Sequence, residues 1–146
     1  MHVRRKPALA TGFTLIEIMI VVVILSVLAA LVVPSMMGKA GDARQVAAAS
    51  DIRTIVTALE MYRLENFTYP STDQWLKALV KKPSGYPPAP NWNPNGYLRK
   101  LPIDPWGKAY LYISPGTDGE FTLLTLGSDG RAGGSGEAKD INFSDL

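Results

Sequence analysis

Apolar residues dominate the first third of the chain and then thin into a repeating stripe. The order from residue 13 is Phe13-Thr14-Leu15-Ile16-Glu17-Ile18-Met19-Ile20, and the run stays apolar through Val33, broken only by Thr14, Glu17 and Ser26. About 21 residues at a rise of about 1.5 Å each cover roughly 32 Å, close to the hydrocarbon thickness of a bilayer. Arg4, Arg5 and Lys6 stand before the run, so the pattern predicts a membrane-spanning helix over 13–34 behind a basic leader. Those charges favour a cytoplasmic N-terminus, although Lys39 and Arg44 beyond the span offset the bias.

From 35 to 66 the pattern turns amphipathic. Val46, Ala49, Ile52, Val56, Leu59 and Tyr62 recur at steps of three or four, one stripe of a helix, with Lys39, Asp42, Arg44, Asp51, Arg53, Glu60 and Arg63 on other positions. The pattern predicts one long helix, half apolar all round and half packed on a head. Pro34 removes a backbone hydrogen bond and is expected to kink or loosen it, and Gly38 and Gly41 weaken the next turns.

Asn66-Phe67-Thr68-Tyr69-Pro70 breaks the helix. Ser71 and Gln74 have the spacing of a capping box for a short helix carrying Trp75, Leu76, Leu79 and Val80, which Pro83 stops. Residues 83–105 are rich in Pro, Gly and Asn, with Tyr86, Trp92 and Tyr97 interspersed, a composition that predicts an ordered loop pinned by aromatics. Residues 109–113 and 121–126 are rich in β-formers and flank Ser114-Pro115-Gly116-Thr117-Asp118-Gly119, so a hairpin is expected, with a short further strand near 141–143. The fold class is α+β: a long N-terminal helix laid against a small antiparallel sheet, 35–146 forming one head.

Composition removes most chemistry. The 146 residues hold 15 basic and 13 acidic side chains. Without Arg4, Arg5 and Lys6 the remainder carries one more acid than base, and no basic patch with interleaved aromatics argues for nucleic acid. There is no cysteine, and the one histidine is His2 in the leader. The remainder therefore lacks the commonest general base and the commonest transition-metal ligands. With no P-loop and no Gly-x-Ser-x-Gly, the chain reads as a non-enzyme.

Three readings compete for the N-terminal run. A secretory signal has a shorter core and a small-residue cleavage site, neither found here. A plain anchor leaves Glu17 as an unexplained cost of about 2.5–3.5 kcal/mol at a membrane centre. The third is a leader, residues 1–12, removed before the apolar run. Gly12-Phe13-Thr14-Leu15-Ile16-Glu17 resembles the class III signal of type IV pilins and type II secretion pseudopilins. That resemblance implies cleavage between Gly12 and Phe13 by a prepilin peptidase and N-methylation of Phe13. Glu17 then lies one helical turn from the freed amine, and is expected to meet the Phe13 amine of a neighbouring subunit and set the register of assembly, the alternative being a pair within one chain that only lowers the cost of insertion.

The C-terminal half narrows the resemblance. Tyr97-Leu98-Arg99-Lys100-Leu101-Pro102-Ile103-Asp104-Pro105-Trp106-Gly107-Lys108-Ala109-Tyr110, Ser114-Pro115-Gly116 and Leu126-Gly127-Ser128-Asp129-Gly130 resemble the major pseudopilin (G subunit) family of type II secretion systems. The family implies a homopolymer in the periplasm that helps drive folded proteins across the outer membrane. Its partners would be minor pseudopilins and an inner-membrane assembly platform. A subunit of another type IV pilus-like fibre and a non-assembling membrane-anchored periplasmic protein are the rival readings. On its residues alone the acidic, glycine-rich stretch 126–141 is a solvated turn or a hard-cation loop. The resemblance implies calcium, held by side-chain oxygens of Asp129 and Asp140 and backbone oxygens of Leu126 and Arg131, with Glu137 as the alternative carboxylate.

Overall fold

The computed structural model describes residues 12–117 and 119–146, with the side chains of 32–38 excepted. Two compact units divide the chain, residues 1–38 and 39–146. One α-helix, α1 (Leu15–Asn66), is assigned across both. The loosening expected at Pro34 falls among residues 32–38, outside the described side chains.

In the first unit every described side chain from 12 to 31 is exposed. The helix opens on a signal that the apolar pattern hides. Thr14 and Glu17 form a capping box: the Thr14 amide donates to Glu17 Oε2 at 3.5 Å, and the Glu17 amide donates to Thr14 Oγ1 at 3.3 Å. Among the described residues no helix is long and apolar enough to cross a membrane. In this unit the described side chains stop at Leu31, and the last three residues of the span expected over 13–34 lie outside them.

The second unit holds the core. The buried stripe of α1 is Ala48, Ile52, Ile55, Ala58, Leu59 and Tyr62. Val46, expected on that stripe, is 70% exposed. It lies two residues before Ala48, about 200° round the helix, so the packed face excludes it. The helix ends where Phe67 takes φ 64°, its amide donating to Arg63 O at 2.7 Å, a left-handed cap built without glycine.

Beyond it, Ser71 and Gln74 exchange the expected capping bonds, 3.1 Å and 3.3 Å. The element they lead into is a single 3-10 turn, Leu76–Leu79, rather than an α-helix, because Trp75 before it adopts φ 49° and interrupts helical geometry. Leu76, Ala78 and Leu79 enter the core. The 83–105 loop is pinned by aromatics as its composition predicts. Trp92 Nε1 donates to Ala78 O at 2.7 Å, and the amides of Tyr97 and Leu98 both donate to Leu79 O. Tyr86 is the exception, standing 86% exposed.

Three antiparallel strands complete the head in the order β1 (Leu111–Ile113), β2 (Thr122–Thr125), β3 (Ile141–Asn142). Leu111 pairs with Leu124, Ile113 with Thr122, and Thr125 with Ile141. Period-two alternation turns Tyr112, Leu123 and Thr125 inward and leaves Leu111 and Ile113 outward. Tyr110, Tyr112 and Leu123 pack with Ile52, Ile55, Leu59 and Tyr62, so the helix lies on the sheet through one apolar layer.

Candidate assembly and cation-binding sites

The loop between β2 and β3 is fixed at its root by a buried acid. Asp104 is 4% exposed and sits in a tight turn after Pro102, its amide donating to Lys108 O at 2.8 Å. Its carboxylate is fully engaged. Oδ1 accepts from the amides of Trp106 at 3.1 Å and Lys108 at 2.7 Å, and Oδ2 accepts from the Thr125 hydroxyl at 2.6 Å. Thr125 Oγ1 in turn accepts from the Gly127 amide at 3.3 Å. The turn therefore fixes the first residues of the loop.

Within the loop the chain doubles back. The Ser128 amide donates to Glu137 O at 2.9 Å, and a Cβ placed on Gly127 would fall 2.7 Å from the same oxygen, so the close approach at φ 63° requires glycine there. Asp129 Oδ1 accepts from the Arg131 amide at 3.0 Å, and Asp140 Oδ2 from the Gly133 amide at 2.8 Å. Asp140 Oδ1 is buried and has no hydrogen-bond partner among the described residues.

That orphaned oxygen is the observation that tests the loop for a cation. A buried carboxylate oxygen without a donor is costly, and a hard cation supplies what is missing. Among the described residues no group of three or more His, Cys, Asp or Glu side chains is placed to hold a metal. A set of two carboxylates completed by backbone oxygens remains, which is the composition expected for Asp129, Asp140, Leu126 and Arg131. Mixed carboxylate and carbonyl oxygens are the donor chemistry that calcium accepts.

Glu137 is committed elsewhere. Its carboxylate receives Arg44 Nη1 at 3.0 Å and Trp106 Nε1 at 3.3 Å. A Cβ on Gly41 would fall 2.6 Å from Glu137 Oε1, so the glycine that weakens the helix makes room for this contact. The Gln45 side-chain amide donates to Gly136 O beside it. Sequence reasoning missed the fastening by Arg44 and Trp106, and missed Lys108, whose Nζ donates to Ser128 O at 3.0 Å. No spacing rule links residues 93 positions apart.

At the other candidate site, Glu17 sits in the first turn of α1 with its carboxylate turned back to the Thr14 amide. The carboxylate is thus held beside the helix N-terminus, where a negative charge is favoured, one residue from the expected new terminus at Phe13. Gly12 and Phe13 are both exposed ahead of the helix, and among the described residues nothing lies within 4 Å of where a Gly12 Cβ would stand.

An exposed apolar N-terminal helix opened by Gly12-Phe13 and Glu17, together with a small antiparallel head, defines a pilin-type subunit. Residues 9–33 match the prokaryotic N-terminal methylation motif, and residues 35–144 match the family described as type II secretion system (T2SS), protein G. The chain is 59% identical to the type II secretion system core protein G of Pseudomonas aeruginosa over 131 residues, 90% of this chain and 92% of that one. It is 49% identical to the core protein G of Vibrio cholerae over 94% of this chain and 93% of that one. The crystal structure of the major pseudopilin from the type 2 secretion system of enterohaemorrhagic Escherichia coli superposes with a TM-score of 0.67 at 38% identity. That match covers 79% of this chain and 98% of the solved one. The chain belongs to the type II secretion system protein G family.

Proposed function

We propose that this chain, a type II secretion system pseudopilus subunit, works by polymerising with itself into a periplasmic filament whose growth drives folded proteins across the outer membrane. A prepilin peptidase removes residues 1–12 and methylates Phe13. Residues 13–34 hold the subunit in the inner membrane, head in the periplasm, until the assembly platform and minor pseudopilins draw it into the fibre. The observation that carries this reading is the apolar first unit. Its described side chains are exposed from 12 to 31, a surface far larger than a soluble monomer leaves bare.

Glu17 serves assembly in this account. A carboxylate in an apolar helix requires a partner, and the amine freed at Phe13 of an adjacent subunit supplies one. Calcium serves the head. Asp129 and Asp140, with the backbone oxygens of Leu126 and Arg131, would hold the ion and close the loop that other small periplasmic domains close with a disulfide.

Processing and export test the reading together. Mass spectrometry of chain recovered from cells with a prepilin peptidase should find methylated Phe13 at the terminus, and Gly12→Leu should remain at precursor mass. Deleting the gene should stop export of the system's substrates, and the unsubstituted chain should restore it. A mature terminus elsewhere, or export unaffected by deletion, would contradict the proposal.

A further inference from the structure

Residues 39–47 of α1 reach beyond the part of the helix that the core holds. The buried stripe begins at Ala48, and from 39 to 47 Gly41 alone is buried among the described residues. Local sequence does little to keep this segment helical. Gly38 and Gly41 each disfavour the helix relative to alanine, and Pro34 just upstream supplies no amide to the ladder.

What covers Gly41 comes from far along the chain. The Glu137 side chain lies so close that a Cβ on Gly41 would fall 2.6 Å from its Oε1 and 2.7 Å from its Cγ. The same carboxylate takes Arg44 Nη1 from α1 and Trp106 Nε1 from the head, and the Gln45 amide donates to Gly136 O. Among the described residues, the side-chain hydrogen bonds that join 39–47 to the rest of the head all end on Glu137 or Gly136.

The position of Glu137 depends on the fold of its own loop. It sits on the 3-10 turn Gly136–Ala138, none of whose residues is buried, so core packing does not hold it. Backbone contacts do. The Ser128 amide donates to Glu137 O at 2.9 Å, and a Cβ on Gly134 would fall 2.4 Å from Ala138 O. Glu137 therefore reaches α1 when residues 127–139 are folded back on themselves, and loses it when they are not.

We propose that the loop between β2 and β3 is a latch on α1. With Glu137 seated over Gly41 the helix is held through 39–47. With the loop displaced those nine residues unwind and lengthen the tether between the head and the first unit. As helix they span about 14 Å, and as extended chain up to about 30 Å. Segments that few buried contacts hold open locally while the core stays folded, which is the behaviour a latch requires. The coupling needs neither a bound cation nor a second copy.

Hydrogen exchange of the full chain in detergent, read by mass spectrometry on peptides covering 39–51 and 52–66, tests the latch. Amides 43–48 should be protected in the unsubstituted chain. Glu137→Ala should speed their exchange at least tenfold while 52–66 stay protected. Gly41→Ala separates the latch from helix propensity, because alanine favours the helix but its Cβ displaces the Glu137 carboxylate. Exchange at 43–48 should be faster in that variant, where propensity alone would make it slower. Gly127→Ala, far from α1 in sequence, should expose the same amides, since its Cβ would fall 2.7 Å from Glu137 O. Amides 43–48 unprotected in the unsubstituted chain, or still protected in Glu137→Ala or Gly127→Ala, overturn the proposal. So does slower exchange in Gly41→Ala. A uniform rise across 39–66 overturns it too, making Glu137 a support of the whole head rather than of this segment.

Discussion

The Thr125 hydroxyl donates to Asp104 Oδ2 at 2.6 Å, and through that bond the end of β2 is fastened to the turn at 104–108. Both residues are buried, and the carboxylate takes two backbone amides on its other oxygen. One acid thus organises the entrance to the loop that carries Asp129 and Asp140.

Asp104→Ala should therefore destabilise the chain by about 3 kcal/mol or more, since it strands two amides and a hydroxyl that were bonded to a charge. Asp104→Asn keeps an acceptor for the amides and should cost less. Chemical denaturation followed by near-ultraviolet circular dichroism measures both. Equal stability for wild type and Asp104→Ala would show that the turn holds itself.

Two core tyrosines, Tyr62 buried and Tyr97 partly buried, should respond differently to loss of the hydroxyl. The Tyr62 hydroxyl is buried without a partner among the described residues, so Tyr62→Phe should leave stability unchanged or raise it by about 1 kcal/mol. The Tyr97 hydroxyl donates to Glu65 at 2.6 Å and accepts from Asn66 at 2.9 Å, so Tyr97→Phe should cost about 1–2 kcal/mol. The same denaturation curves decide the matter, and a Tyr62→Phe loss as large as that of Tyr97→Phe would contradict it.

Much of this architecture is legible in the residues. Richness in β-formers and turn chemistry locate the hairpin at 109–126, and Ser71 with Gln74 locates the capping box. The phase of the α1 stripe is ambiguous at Val46 because steps of three and four allow two neighbouring faces, and only the sheet selects Ala48 and Ile55 over Val46. The 3-10 turn at Leu76–Leu79 stays hidden because Trp75 carries no local cue for a positive φ. Thr14-x-x-Glu17 is a readable capping signal overshadowed by the apolar run. The Arg44, Trp106 and Glu137 cluster and the Asp104–Thr125 bond are not legible at all, since they depend on how distant segments pack.

Alkaline pH should unfold the head. Burial, with Tyr97 beside it, pushes the Tyr62 phenol up to about 12. Burial first, then the bond to Asp51, raises Tyr110 further, and burial raises Tyr112 as well. The folded state holds these protons more tightly than the unfolded chain, whose tyrosines titrate near 10. Their contribution is full below about pH 10 and is lost as pH rises from there through 12 and beyond. Tyrosinate absorbance should appear together with loss of circular dichroism. Absorbance that rises fully near pH 10 with the fold intact would contradict this.

Calcium should stabilise the chain in detergent and chelator should weaken it. A ligand bound only by the folded state contributes about 2.7 kcal/mol at a hundredfold excess over its dissociation constant, a shift of several degrees in a head of this size. Asp140→Asn and Asp129→Ala should remove the calcium response. Glu137→Gln should keep it while lowering the metal-free melting temperature, because its carboxylate serves Arg44 and Trp106. Magnesium should help less, given its stricter octahedral demand. A melting curve unmoved by chelator would make the loop a turn and nothing more.

Electron microscopy of material sheared from cells overexpressing the chain tests the central claim most directly. Filaments composed of the mature chain should be abundant for the unsubstituted protein. They should be absent for Glu17→Ala, even though mass spectrometry finds that variant cut before Phe13. Normal filaments from Glu17→Ala would contradict the role given to that carboxylate, and no filaments from the unsubstituted chain would contradict the assembly account itself.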